Sequence, residues 1–430
     1  MAARVYWLWL STRPGIGARA AGNLLDYFGS PEAVYAASRG ALLMCDGLTP
    51  AQINGLCDKN LNGADRLLED CTKKNIHILT LADSNYPDRL RHIYDPPIVL
   101  YWYGRTPAWD IRPMISIVGS RRGGAYGKMM ARQFASSLTE SGFLIVSGMA
   151  SGIDGEANDS AVLAGGSVAV LGCGVDICFP KENRRLYENL RLGGTLVSEY
   201  PPGTEPAGWR FPQRNRIISG LSIATIVIEA PFRSGALITA RLALDQGRDV
   251  YAVPGDLDKW RSAGCNALIR DHAADLLTDP VQLLHAYGGL LREPPDERRI
   301  YRIFHGQAVP KRPDAKPAPE SRKKEPVLPQ PEQPPSAASK IQEAEKPSEI
   351  LEALPIKPAS ELPRPSSEVP LPEGLSPEER SVLEAVRAGA KSTDQLIAAT
   401  GLPAAQLLSL VTMLELDALL CNEGGIISLP

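Results

Sequence analysis

Histidine is scarce in this chain and absent from its most regular part. The 430 residues include five histidines, and none of them lies between residues 110 and 270. A catalytic base or a metal centre built on histidine is therefore not expected in that stretch. The GxxxxGK[ST] sequence of phosphate-binding loops is also missing, so P-loop nucleotide hydrolysis has no support.

Paired cysteines and long apolar runs are lacking as well. The seven cysteines are scattered, without a CxxC pair or a spacing that would hold a metal together with histidine. They are expected to be idle or buried thiols in a reducing compartment. The apolar start is too short for a signal peptide, and no later run could span a bilayer. We expect a soluble, cytoplasmic protein with no metal, no cofactor and no membrane contact.

A strong excess of charge is the third missing feature. The formal net charge is −3, which gives no global sign of a polyanionic partner. A site for such a partner would have to arise from basic residues clustered by the fold.

Four segments share one sequence pattern, which is a β-branched run followed by a Gly-rich turn with small polar or basic residues. They are residues 115–124, 143–152, 168–176 and 226–235. Backbone N–H groups and helix N-termini gather at such turns and favour anions. The sequence therefore predicts an edge that holds phosphate.

Apolar runs alternate with helical segments from about residue 110. The runs are 115–118, 143–146, 168–171, 195–198, 223–228 and 250–253. This alternation predicts an α/β fold with a doubly wound, mostly parallel sheet over 76–300. Ligands of such folds lie beyond the carboxyl ends of the strands, which is where the glycines are.

Residues 1–75 are predicted to form a small helical domain of the SAM or helix-hairpin-helix kind. Its Pro14-Gly-Ile-Gly17 turn resembles a turn whose amides hold a nucleic-acid phosphate, and it equally fits a plain tight turn in a bundle. Residues 76–108 contain strand-like pieces at 76–79 and 98–102, broken by prolines.

The C-terminal third divides into a linker and a small domain. Residues 301–372 are rich in Pro, Lys and Glu, which predicts a disordered tether. Residues 373–430 read as a winged helix, with helices at 377–388, 393–400 and 403–417 and a terminal hairpin. This part holds eight acidic and three basic residues, hence a charge of −5. Such a domain would be repelled by a DNA groove, so we expect it to bind protein.

Basic and aromatic residues follow the Gly-rich turns of the sheet. The basic residues are Arg121, Arg122, Lys181, Arg184, Arg185, Arg210, Arg214, Arg216 and Arg233, and the aromatic ones are Phe179, Tyr200, Trp209 and Phe211. A cationic groove interleaved with aromatic rings is typical of proteins that bind single strands. Three carboxylates near strand ends, Asp154, Asp176 and Glu199, fit caps and salt-bridge partners better than catalytic groups.

Ordered motifs between about 80 and 280 resemble the DNA-processing protein A (DprA/Smf) family. They are 118–121, 147–154, 169–176, 198–201, 211–222, 234–240 and 252–255. The resemblance implies an extended Rossmann fold that binds single-stranded DNA without catalysis and forms a homodimer. It also implies loading of the RecA recombinase onto incoming strands during natural transformation.

The resemblance also implies which residues line the DNA pocket. In the family, a Gly-Ser-Arg turn and a basic residue near a Phe-Pro segment line it. The predicted single-strand site is Gly119, Ser120, Arg121, Arg122, Ser147, Gly148, Phe179, Lys181, Asn183, Phe211, Arg214, Asn215, Arg216, Ser234 and Gly235. One departure is visible, because Asn158 stands where the family usually has histidine.

Two other functions compete with single-strand binding as interpretations of the sequence. A nucleotide phosphoribohydrolase on a similar sheet would carry a Pro-Gly-Gly-x-Gly-Thr-x-x-Glu motif, and the corresponding residues 231–239 lack its glutamate. A double-strand-specific regulator would read DNA through the winged helix, which conflicts with the acidity of that domain.

Overall fold

The computed structural model describes residues 2–107, 109–306, 375–416, 419–423 and 426–429. Most of the predicted tether lies outside these ranges. None of the helices within them is both long enough and apolar enough to cross a bilayer.

The N-terminal part of the described chain is helical, as expected. Its helices are α1 (Ala2–Ser11), α2 (Ala18–Phe28), α3 (Pro31–Ala36), α4 (Arg39–Leu43), α5 (Pro50–Cys57) and α6 (Asn62–Lys73). Side-chain caps begin three of them, because a hydroxyl oxygen accepts a free N–H of the first turn. Ser30 caps α3, Ser38 caps α4, and Thr49 forms a capping box with Gln52 at α5.

A nine-stranded sheet follows. Its strands are β1 (His77–Thr80), β2 (Val99–Gly104), β3 (Met114–Gly119), β4 (Leu144–Ser147), β5 (Ser167–Val170), β6 (Thr195–Ser198), β7 (Ala224–Ile228), β8 (Asp249–Ala252) and β9 (Asp275–Leu276). The spatial order is β1-β2-β6-β5-β4-β3-β7-β8-β9. The pairs β1–β2 and β2–β6 are antiparallel, and the other pairs are parallel. The Rossmann-like prediction is confirmed, and the two proline-broken pieces extend the same sheet.

Helices cover both faces of this sheet. They are α7 (Asp88–Arg91), α8 (Ala125–Glu140), α9 (Ile153–Leu163), α10 (Arg184–Gly193), α11 (Arg210–Leu221), α12 (Gly235–Asp245), α13 (Ala263–Arg270), α14 (Val281–Tyr287) and α15 (Glu297–Phe304). Every residue of β4, β5, β6 and β7 is buried, which accounts for the continuous apolar runs.

The strand order reverses beside β3. From β3 the chain builds β4, β5 and β6 on one side, then returns to place β7 and β8 on the other. Ile117 pairs with Ile226, and Gly119 pairs with Ile228. In open α/β sheets the crevice at such a switch point is the usual ligand site.

The boundary predicted at residue 300 is wrong by a few residues. Asp296 caps α15, and Ile300 and Phe304 are buried. The Phe304 ring lies 4.7 Å from the ring of Phe134 on α8. Apolar residues spaced by four thus continue the domain past the start of the expected tether.

The C-terminal residues form the predicted winged helix. Its elements are α16 (Pro377–Arg387), α17 (Thr393–Thr400), α18 (Ala404–Leu416) and an antiparallel hairpin of β10 (Cys421–Glu423) and β11 (Ile426–Ser428). Ser376 and Glu379 make the capping box that begins α16. The buried residues Leu407, Val411 and Leu414 lie on one stripe of α18, because they are spaced by four and three.

Candidate nucleic-acid interface

A cleft lies at the switch point, between the carboxyl end of β3 and the helices α11 and α12. Its lining combines backbone turns, two arginines, one carboxylate and one aromatic ring. The lining residues are Val118, Gly119, Arg121, Ala150, Asp154, Phe211, Pro212, Arg214, Asn215, Ser234, Gly235, Ala236 and Thr239. Seven of these are residues that the resemblance placed in the DNA pocket.

Asp154 ties together the turns that form the floor of the cleft. Its two carboxylate oxygens accept the backbone N–H of Gly119 at 3.3 Å and that of Gly148 at 3.1 Å. Burial raises the pKa of Asp154, while the Arg214 guanidinium and these donors act to lower it. The side chain is therefore a hydrogen-bond acceptor that joins the turns after β3 and β4.

Arg214 supplies a buried positive charge beneath the cleft. Its side chain projects from α11 and donates to the carbonyl oxygen of Gly148 at 3.0 Å and to that of Val170. Burial lowers the pKa of Arg214 to about 10, against the opposing effect of Asp154. The group stays charged at neutral pH, so the cleft favours an anion.

Arg121 lies at the mouth of the cleft on an aromatic pair. Its guanidinium carbon is 5.3 Å from the centre of the Phe211 ring. The Phe211 ring in turn stacks on that of Phe179, with centroids 5.4 Å apart and planes at 28°. Phe211 is buried and Phe179 is half-buried, so Phe179 supplies the accessible aromatic surface beside the cation.

The turn after β3 holds an anion supplied by the chain itself. Glu229 accepts the backbone N–H of Gly124 with its carboxylate and that of Ser120 with its carbonyl oxygen. Glu229 is buried and has a φ of 51°, which is unusual for a residue with a side chain. The N-terminus of α8, where related folds bind phosphate, is therefore filled. The sequence did not single out Glu229, because nothing around residue 229 marks it as an acceptor.

The structure does not bring Arg216 into the cleft. Its guanidinium makes two bonds to the Glu199 carboxylate, at 2.8 and 2.7 Å, and an ion pair with Asp95 at 2.9 Å. Burial would lower the pKa of Arg216, but the two carboxylates outweigh it and the pKa is raised. Arg216 is a structural residue here, and so is Glu199.

Seven other predicted site residues do not line the cleft. They are Ser120, Arg122, Ser147, Gly148, Phe179, Lys181 and Asn183. Ser147 donates its hydroxyl to the carbonyl oxygen of Ile117 at 2.6 Å, and Asn183 donates to that of Met149 at 2.9 Å. Lys181 is exposed in the short turn before α10.

Asn158, at the position of the usual family histidine, is buried behind the turn after β4. It accepts the N–H of Met149 at 3.0 Å and donates to the hydroxyl of Ser167 at 2.9 Å. Its role in this chain is to hold the Met149 turn, which itself has a φ of 53°.

Comparison with known proteins agrees with this geometry. The family model described as DNA recombination-mediator protein A matches residues 77–288, and that of the DprA winged helix domain matches residues 365–425. Protein Smf of Synechocystis sp. is 39% identical over 293 residues, which are 67% of this chain and 73% of the relative. DNA processing protein DprA of Bacillus subtilis is 40% identical over 209 residues, 48% of this chain and 70% of the relative.

A solved structure gives the same result for the fold. The X-ray structure of DNA processing protein A from Streptococcus pneumoniae superposes with a TM-score of 0.59 and 31% identity, covering 65% of this chain and 97% of that one. The Synechocystis relative is 39% identical, and the match covers 73% of its length. The chain therefore belongs to the DNA-processing protein A (DprA/Smf) family.

Proposed function

We propose that this chain binds single-stranded DNA across the cleft at the carboxyl edge of its sheet, without making or breaking a covalent bond. The observation that carries the proposal is the position of the Arg121 guanidinium on the stacked rings of Phe211 and Phe179. A single strand exposes both phosphates and base faces, so it can use charge and rings together.

The electrostatics of the cleft support a phosphate ligand. Arg214 is charged under the floor and Arg121 at the mouth, while the nearest carboxylate, that of Asp154, already accepts two backbone N–H groups. Lys181 is exposed near the Phe179 ring and extends the positive surface along a strand. Neutralising phosphates in this way is independent of base sequence.

The arrangement gives little support to bond cleavage. The Asp154 carboxylate is buried, and its two oxygens accept the N–H groups of Gly119 and Gly148. We infer that these bonds keep it from accepting a proton from a substrate as a general base. We therefore propose a binding protein rather than a nucleotide phosphoribohydrolase.

Membership of the family supports the wider part of the proposal. The bound strand would be passed to RecA during recombination or natural transformation, by a cytoplasmic homodimer that needs no cofactor.

Binding of fluorescent oligo-dT at several salt concentrations tests this function. Arg121→Ala and Lys181→Ala should each weaken binding about tenfold, the value of a charge-assisted contact. Each should also reduce the slope of log affinity against log salt by about 0.7, the share of one single-strand phosphate.

Arg298→Ala is the matched control, since Arg298 is an exposed arginine on α15 that does not line the cleft. It should leave affinity and slope unchanged. Wild-type affinity and slope in both Arg121→Ala and Lys181→Ala would place the strand on another surface.

A further inference from the structure

The winged helix touches the mouth of the cleft. The backbone N–H of Gly208, just before α11, donates to the hydroxyl of Ser409 on α18 at 3.2 Å. One turn further along α18, the sulfur of Met413 contacts the guanidinium of Arg121. The group to which the proposed function assigns a phosphate thus already has a neighbour from the C-terminal domain.

Two faces of helix α18 make contacts, one within the winged helix and one with the sheet domain. Leu407, Val411 and Leu414 are buried in the winged helix itself, whereas Ser409 and Met413 face the sheet domain. In a DNA-reading winged helix this outer face would enter a groove, but α18 has neither lysine nor arginine. Its outer surface instead fits the positive mouth of the cleft.

The rest of the contact is loosely packed. An open groove of about 500 Å³ lies between α12 and the winged helix, and Phe232, Arg241, Thr412 and Glu415 are among its lining residues. Phe232 remains 65% exposed. A tightly bound interface would approach the density of a protein interior, and a gap of this size forfeits dispersion contacts. This packing favours a contact that can open and close.

We propose that the winged helix of this chain is a reversible cover over the cleft, which competes with single-stranded DNA for Arg121. The inference rests on the proposed function and adds its regulation. The occupant is the chain's own domain, joined to α15 through residues 307–374. The net charge of −5 between residues 373 and 430 complements the basic mouth of the cleft, and it would repel an arriving strand.

Tethering makes such a weak contact effective. Because the domain belongs to the same chain, its effective concentration at the cleft is higher than that of a separate domain in solution, so a contact too weak to bind in trans can still cover the cleft. The measured Kd for DNA is then the intrinsic Kd divided by the uncovered fraction. A partner that binds the winged helix would raise this fraction and promote strand loading.

A reversible disulfide between the two domains of the full-length chain tests whether the winged helix covers the cleft. A Cβ at Gly208 would lie 3.3 Å from the Cα of Ser409, which is within reach of a disulfide. In Gly208→Cys/Ser409→Cys the oxidised protein should bind oligo-dT at least tenfold more weakly than the reduced protein. Each single cysteine variant is a control, because it should show no redox effect.

Opening the cover should have the opposite effect. Ser409→Trp places a bulky side chain against Gly208 and leaves the buried stripe of α18 intact, so the winged helix should still fold. We expect oligo-dT affinity to rise several-fold, with Leu408→Trp as the control because Leu408 is already 53% exposed.

The outcomes separate the two proposals. Equal affinity of the oxidised and reduced double variant, with binding still lost in Arg121→Ala, would overturn the cover and leave the function standing. Failure of the cross-link to form would also overturn it, since the contact would not be populated. A covalent dimer would assign the cover to a second copy and refute the intrachain form. Absence of DNA binding in the wild type and in every variant would overturn the proposed function itself.

Discussion

Arg214 and Arg216 stand two residues apart on α11, and both are buried. Arg214 donates to carbonyl oxygens beside the cleft, whereas Arg216 is neutralised by the carboxylates of Glu199 and Asp95. Burial of an ion is tolerated only with such partners. At the residue scale, the partners of the side chain decide whether a buried arginine leaves positive charge beside the cleft or is neutralised within the fold.

Arg216→Ala should destabilise the protein without changing how it binds DNA. It leaves two carboxylates without their cation, and the free energy of unfolding should fall by about 3–5 kcal/mol. Denaturant titration measures this loss, and Arg216→Lys, which keeps a positive charge, should lose less. A stable Arg216→Ala variant with a reduced salt slope for oligo-dT would show that the side chain reaches the strand.

Asp154 should make strand binding depend on pH. Burial raises the pKa of its carboxyl above the ordinary 3.8, and a phosphate in the cleft would add a like charge beside it. Affinity for oligo-dT, whose thymines do not titrate in acid, should rise as pH falls through this pKa. The same shift means that the stability contributed by Asp154 is present below pH 3.8 and is lost as pH rises through the folded pKa.

Equilibrium titrations between about pH 4.5 and 7.5 at constant ionic strength would measure the effect on binding. Asp154→Asn should flatten the profile, because the amide has no proton to gain. An unchanged slope in that variant would assign the pH dependence to another group.

At the scale of elements, the apolar runs predict six strands, and all six are present. They were found because buried parallel strands need apolar side chains on both faces. The pieces at 76–79 and 98–102 could be recognised as strand-like, but not as members of the same sheet. Their place follows from the antiparallel pairing of β2 with β6, across more than ninety residues.

Part of the candidate site was also out of reach of the sequence. Gly119, Arg121 and Phe211 could be placed through family motifs, since each motif marks the end of a strand or the start of a helix. The internal anion, Glu229, could not, because its role depends on the turn of β3 approaching the end of β7. The pairing of Arg216 with Asp95 likewise joins residues 121 positions apart.

A glycine at the carboxyl end of β3 allows the strands and α9 to approach closely. A Cβ at Gly119 would lie 2.0 Å from the carbonyl oxygen of Ile228 and 2.6 Å from the Ile153 side chain. Gly119→Ala should therefore lower the free energy of unfolding by roughly 1–3 kcal/mol or more.

Gly22→Ala is the matched control, because Gly22 lies within α2 with nothing near its missing Cβ. It should stabilise the protein by about 0.5–1 kcal/mol, since alanine favours a helix interior. Thermal unfolding of both variants measures the contrast, and equal effects would contradict the close approach.

At the scale of the molecule, the N-terminal helices do not have a core of their own. Leu8 and Trp9 of α1 belong to the same buried cluster as Tyr101 of β2 and Leu190 of α10. The boundary predicted at residue 75 therefore separates the N-terminal helices from the sheet, but one apolar core contains residues from both sides of it.

Trp9→Ala should consequently weaken both sides of that boundary. Loss of a large buried ring costs about 3–5 kcal/mol, and amide exchange should accelerate in α1 and β2 together. Hydrogen exchange followed by mass spectrometry resolves the two segments. Faster exchange confined to α1 would show that the helices unfold independently of the sheet.

The most direct measurement of the central claim is a crystal structure of the full-length chain with oligo-dT. We expect a phosphate against Arg121 at the mouth of the cleft, a base beside the Phe211 and Phe179 rings, and α18 displaced from Gly208. A strand held on any other surface, with this cleft empty, would contradict the account.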